Sequence, residues 1–363
     1  MRLFQNSGIY PAYLPRLNRL SAKASSFRER LDVFLDDRYG ACHFLQPVLQ
    51  RTETAFFTNG DDVVLQRLWA QENGLAPDTP LHDILLAQIE HHRTEVFYNM
   101  DPMRVGNAFL RRLPGCVRKT IAWRAAPSAG GEFGDHDLLV CNFPGILQGY
   151  RDQGWKAEYF FPAHDPEMDP HAANMDRPID VLFVGGYSRH HRQRAVVLEA
   201  VAALAPGVNV RLHLDRGRLT RLAESLPGRL LPLEEHRRPA AIRATSRDPI
   251  FGRELYEAIS RSKIVLNGAV DMAGQDRGNM RCFEAMGCGA LLVSDAGVYP
   301  DGMRNGSTML TYATPGEAVA RIREALADHD RLKAVAAEGL GVMQTKYSKA
   351  AQWAEFRRLV ELA

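Results

Sequence analysis

The chain has 363 residues, 45% of them apolar, with 45 Lys plus Arg against 43 Asp plus Glu and a net charge of +2. That balance suits a globular protein of about two domains and excludes a disordered, collagen-like or disulfide-stapled chain. A near-neutral total argues against bulk binding to nucleic acid or a membrane surface, leaving room for a local basic patch. The five cysteines, Cys42, Cys116, Cys141, Cys282 and Cys288, are odd in number and form no CxxC pair. They read as buried free thiols of a reducing cytoplasm rather than a zinc or redox site. Gly8, Pro11 and Pro15 interrupt the N-terminus before any apolar run, so no signal peptide is expected. No stretch of about 18 apolar residues occurs, so no transmembrane segment is expected either. The expected location is cytoplasmic.

In chain order, the first half offers strands at Arg2 to Phe4, Glu95 to Tyr98, Thr120 to Trp123, Leu138 to Cys141 and Ala157 to Phe161. Between them Leu81 to His91 reads as a helix, with Ile84, Leu85, Gln88 and Ile89 marking one face. Pro162, Pro166, Pro170 and Pro178 interrupt the pattern, and the domain boundary is placed there. The second half is clearer. Ile179 to Val184 is an apolar strand closed by Gly185-Gly186, followed by a helix from about Arg192 to Leu204. A strand at Val208 to Leu214, a helix at Leu255 to Ser262 and a strand at Lys263 to Asn267 follow. Then come a short helix at Arg281 to Met286, a strand at Ala290 to Ser294 and a helix at Pro315 to Asp328. Ser348 to Leu362 closes the chain as an amphipathic helix with Trp353, Phe356, Leu359, Val360 and Leu362 on one side. Alternating strands and helices predict an α/β protein of two doubly wound parallel sheets. The expected domains are 1–165, 166–345 and a C-terminal helix 346–363 packing back on the first. Ligands of such sheets bind beyond the carboxyl ends of the strands, expected here at an interdomain cleft.

The most informative stretch is Asp271 to Asp301. Gly278 and Asn279 lead into a helix starting at Met280, which Gly287 ends, and Asn279 suits an N-cap. A glycine before a helix start presents free N–H groups and the positive end of the helix dipole, a site for phosphate. Glu284 lies about 7.5 Å further along the helix, where a carboxylate could accept from vicinal ribose hydroxyls. Phosphates at one end and a ribose at the other describe a nucleoside diphosphate. Arg281 and Glu284 also fit an ordinary solvated helix face. Gly185-Gly186-Tyr187-Ser188-Arg189-His190 lacks the GxGxxG spacing, which disfavours a dehydrogenase. His91-His92 at a helix end is unremarkable, and no HExxH or comparable metal spacing exists.

The pattern Asn279-x-Arg281-x-Phe283-Glu284-Ala285-Met286-x-Cys288-Gly289-Ala290 resembles the signature of GT-B-fold glycosyltransferases. It is most similar to their spore-maturation (CgeB-like) branch, related to the retaining enzymes of family 4. Glu254-Leu255-Tyr256 through Asn267, and the strand Asp180 to Gly186, fit the same branch, and the resemblance runs from about Leu81 to Val319. It implies two Rossmann-like domains and transfer of a sugar from a nucleoside-diphosphate sugar to a glycan, protein or small-molecule acceptor. The resemblance also implies retention at the anomeric carbon; with no Asp-x-Asp motif at a strand end in a transferase context and no His/Cys cluster, no metal is expected, and neither is a cofactor or a nucleic-acid partner. UDP, GDP and TDP are not distinguished.

Family 4 carries two acids separated by seven residues, here Asp276 and Glu284. The resemblance assigns Glu284 to the donor ribose and Asp276 to the donor sugar, although Asp replaces the usual Glu and reaches less far. Arg281 is the candidate for neutralising the diphosphate, with Gly186, Ser188 and Arg189 as a second contribution and Gly278, Asn279 and Met280 as the helix start. Asp276 and Arg281 are thus the residues expected to act in catalysis, with no general base assigned. In the first domain, Asn6 and Gly8 occupy the position of an acceptor or phosphate loop. Asn99 and Asp101 follow a later strand, and His136 precedes another, where it could touch the sugar or be structural. A nucleotide-sugar 2-epimerase of the same fold and a noncatalytic nucleotide-sugar-binding protein are the alternative functions.

Overall fold

The computed structural model describes residues 1–187, 192–268 and 274–363. Two compact units divide the chain. Met1–Ala163, Met272–Asp276 and Tyr347–Ala363 form the first, and His164–Asp271 with Arg277–Lys346 form the second.

The first unit is built on β1 (Leu3–Ser7), β2 (Ala55–Asn59), β3 (Val96–Asn99), β4 (Lys119–Trp123), β5 (Leu138–Cys141) and β6 (Ala157–Tyr159). They form one parallel sheet in the order β2-β1-β3-β4-β5-β6. The strands are short and buried on both faces, as a sheet covered by helices requires. Phe4 and Phe97 pack with Leu85, Ile89 and Phe109 under the helix Leu81–His91. The strand order reverses beside β1, so the carboxyl ends of β1 and β3 mark a switch point, where Asn6 pairs in register with Asn99.

The C-terminal helix Lys349–Leu362 belongs to this unit, and its buried face is Lys349, Gln352, Phe356 and Leu359. The expected apolar stripe therefore shifts, and Leu362 stands 49% exposed. Lys349 Nζ donates to the carbonyls of Ala41, Cys42 and Phe44 at 2.7, 3.0 and 2.7 Å. The long polar side chain points inward onto the short turn Ala41–His43, whose Ala41 and Cys42 carbonyls also accept from the N–H groups of Phe44 and Ala163 at 3.1 and 2.8 Å.

The second unit contains β7 (Ile179–Gly186), β8 (Val210–Asp215), β9 (Ser246–Arg247), β10 (Ser262–Leu266), β11 (Leu291–Asp295) and β12 (Leu310–Tyr312). Their order is β12-β11-β10-β7-β8-β9, again parallel. Val181, Phe183, Leu212, Ile264, Leu266 and Val293 supply its core. Here the switch point lies between β7 and β10, the place where a doubly wound sheet receives a nucleotide. Among the described residues no helix is long and apolar enough to cross a membrane.

Candidate functional site

In the second unit, β7 ends at Gly186, where an added Cβ would meet nothing within 4 Å. The neighbouring β10 delivers Asn267 just past its carboxyl end. Asn267 Nδ2 bonds Asn279 Oδ1 at 3.2 Å and Ser294 Oγ at 3.1 Å, tying the carboxyl end of β11 to the start of the helix Met280–Gly287. Asn279 occupies the N-cap position in an extended conformation, but its side chain makes no capping bond. Its amide is turned to Asn267 instead, and no acid lies in the first turn. The Cys282 N–H donates to the Asn279 carbonyl at 2.9 Å, which leaves the N–H groups of Met280 and Arg281, at the positive end of the helix dipole, to bind an anion. Gly278, immediately before it, has φ +104°, a conformation that a side chain rarely adopts.

Arg281 and Glu284 stand one turn apart. Arg281 Nη1 donates to Glu284 Oε2 at 2.6 Å, with side-chain exposures of 17% and 2%. The solvated-face alternative does not describe Glu284, which is interior. Burial pushes its carboxyl above the usual range, against the opposing pull of Arg281. Arg281 Nε is buried with no partner among the described residues. Arg277 forms a further ion pair with Asp295 at 2.6 Å, and Arg194 Nη2 donates to the Gly268 carbonyl at 3.0 Å. Ser188, Arg189, His190 and His191 lie outside the described residues.

Asp276 belongs by its contacts to the first unit. Its Oδ2 accepts from the Gly145 N–H at 2.8 Å, capping the helix Pro144–Arg151. It also lines a cavity of about 430 Å³ with Gly145, Gly149, Tyr150 and Gln153, all of the same unit.

The first-unit candidates cluster at the β1/β3 switch point. Asn6 and Asn99 are fully buried, and Asn6 Nδ2 donates to Asn99 Oδ1 at 3.1 Å. Asn6 Oδ1 accepts from Gly60 N–H at 3.0 Å, while Asn99 Nδ2 donates to the Val105 carbonyl at 2.8 Å. Both amides thus hold strand ends and loops rather than open to solvent. His136 is 7% exposed, with Nε2 3.4 Å from Asn99 Nδ2 and Nδ1 3.3 Å from the Phe133 carbonyl. Burial lowers its pKa to about 4, so the ring is neutral, and this network fits a proton on Nδ1. Gly8 and Asp101 remain partly accessible, and a Cβ on Gly8 would lie 2.8 Å from Asp101 Oδ2. Burial raises the Asp101 carboxyl pKa. Arg104 bridges Asp61 and Asp101, the latter at 3.8 Å. Among the described residues no group of three or more His, Cys, Asp or Glu could hold a metal.

Sequence reasoning missed Asn267, Ser294 and the Arg277–Asp295 pair. An asparagine directly after an apolar strand was the available signal for the first.

This two-sheet architecture is that of the GT-B glycosyltransferases. Residues 192–358 match a family described as glycosyl transferase-like, so the chain carries a glycosyltransferase-like domain. HepE of Anabaena, solved with UDP and glucose, is similar over 100% of both chains at 12% identity and a TM-score of 0.61. Sucrose-phosphate synthase of Thermosynechococcus elongatus is similar over 99% of this chain and 98% of its own, at 12% identity and a TM-score of 0.52. TarM of S. aureus, solved with UDP among its ligands, matches 77% of this chain and 59% of its own at 9% identity and a TM-score of 0.53. These likenesses are of fold. No curated protein matches the chain.

Proposed function

We propose that the protein transfers a sugar from a nucleoside-diphosphate sugar to an acceptor, with retention and without a metal, as a relative of the spore-maturation branch. The second unit takes the donor and the first the acceptor. The observation that carries this reading is the side-chain-uncapped start of the helix Met280–Gly287, following the inner strand β10 of a switch point. Diphosphate oxygens accept from its first-turn N–H groups, and Arg281 adds charge that grows in value as the leaving group forms. Glu284, one turn deeper, receives the ribose hydroxyls. Because HepE was solved with UDP-glucose, UDP is the first donor nucleotide to test here.

A thermal-shift panel tests the donor class. A ligand at a hundredfold excess over its Kd stabilises by about 2.7 kcal/mol. UDP, GDP or TDP is expected to raise Tm more than NAD or ATP does. Equal shifts for NAD, or none for any nucleoside diphosphate, contradict the reading. With an active donor found, EDTA is expected to leave turnover unchanged, and a strict Mg²⁺ or Mn²⁺ requirement would overturn the assignment of leaving-group charge to Arg281 and the helix.

A further inference from the structure

The second unit holds a cavity at the end of its sheet opposite to the candidate donor site. It lies between the amino ends of β11 and β12, where Leu291 and Leu310 begin their strands, and the helices Pro315–Ala327 and His329–Thr345. Its volume is about 210 Å³, and the buried side chains of Leu291, Leu310, Leu332 and Val335 give it an apolar floor. A cavity of roughly 150 Å³ lined by such side chains stays dry and takes benzene, so this one has room for a single ring with a substituent. The wall carries Arg321 and Arg331 against Glu324 and Asp328. Those charges balance, and they are already engaged. Arg321 Nη1 lies 3.3 Å from Glu324 and Nη2 3.4 Å from Glu317, while Asp328 Oδ1 accepts from the Arg331 N–H at 3.0 Å. The wall has no excess charge to draw an ion into an apolar space. One donor is left over. Arg321 Nε is buried with no partner among the described residues, and a buried N–H without an acceptor is costly.

We propose that this cavity binds a small neutral molecule of the phenol class, with its ring on the leucine and valine floor and its oxygen accepting from Arg321 Nε. The volume sets the size of the ligand, the floor requires an apolar body, the balanced wall favours a neutral one, and the spare donor calls for one acceptor oxygen. The donor site lies beyond the carboxyl ends of the same strands, so the two sites are separate and the inference does not rest on the donor assignment.

The test is a fluorine NMR titration of the full chain with para-fluorophenol, fluorobenzene and para-fluorobenzoate. The phenol is expected to bind saturably at one site, about tenfold more tightly than fluorobenzene, which lacks the oxygen. The benzoate is expected not to bind, because its charge would leave water for a wall with no net counter-charge. Val335→Trp, which fills the space, is expected to abolish binding. Arg321→Met, on the partly exposed wall, is expected to keep the fold and to reduce the phenol to the affinity of fluorobenzene. Should Val335→Trp not fold, Arg321→Met decides alone. No saturable binding, benzoate bound as tightly as the phenol, unchanged binding in Val335→Trp, or an unchanged preference for the phenol in Arg321→Met would overturn the proposal. So would displacement of the phenol by UDP, which would place the probe in the donor site.

Discussion

Arg281 and Glu284 limit what each can do for a ligand, because each is the other's partner. Glu284 is interior, so removing Arg281 strands a buried carboxylate, whereas removing the Glu284 charge leaves a guanidinium that reaches solvent. Breaking a buried pair in the first way costs about 3–5 kcal/mol. Arg281→Ala is therefore expected to lower stability to urea more than Glu284→Gln, and the reverse order would contradict the geometry. In binding the ranking changes. Glu284→Gln is expected to weaken the donor roughly ten- to a hundredfold through lost charge-assisted bonds to ribose. Arg281→Lys, which keeps a charge, is expected to lower kcat more than it raises KM. Wild-type donor affinity in Glu284→Gln would remove the ribose assignment.

His136 gives the pH dependence a sign. Its pKa in the fold, about 4, lies below that of the unfolded chain, so the unfolded state binds the extra proton first. Its contribution is complete above the unfolded value near 6.5 and is lost as pH falls from there toward about 4. Tm is expected to fall over that window, and His136→Gln to flatten the slope. An unchanged slope in the variant would show that other groups titrate.

At the scale of elements, two local devices are expected to carry disproportionate weight. Gly278 holds φ +104°, and Gly278→Ala is expected to cost about 1–3 kcal/mol and to reduce donor affinity by displacing the helix start. Lys349 donates to three carbonyls, two of which also accept from backbone N–H groups, so Lys349→Met is expected to cost about 1–3 kcal/mol in urea unfolding while leaving donor binding unchanged. A neutral result for Lys349→Met would mean water replaces the ammonium.

The elements also show what could be read from the chain. The helix Leu81–His91 is legible because its apolar residues recur at helical spacing, and β7 because a long apolar run ends in two glycines. β2 was missed because Ala55–Asn59 is short and lacks alternation, and β12 because three residues carry no period. The helix His329–Thr345 was missed for its interior glycines, Gly339 and Gly341, which weaken any helical signal. The helix Phe27–Asp36 did announce itself, through Ser26 and Glu29 three residues apart, and that cue went unused. At the site, the Gly278–Asn279 helix start was visible locally. The Asn6–Asn99 and Asn267–Asn279 pairings were not, because each depends on which strands become neighbours.

For the whole molecule, two parallel sheets with reversed order supply two switch points, and the second unit's is lined by a glycine end, an asparagine bridge and a helix start without a side-chain cap. The central claim is that this helix start binds the donor diphosphate. Hydrogen–deuterium exchange on peptides spanning residues 277–287, with and without saturating UDP, tests it most directly. The account predicts slowed exchange of the first-turn amides with UDP, reduced in Glu284→Gln at the same UDP concentration and absent with NAD. UDP binding that protects amides elsewhere and leaves residues 280 and 281 unchanged would contradict it.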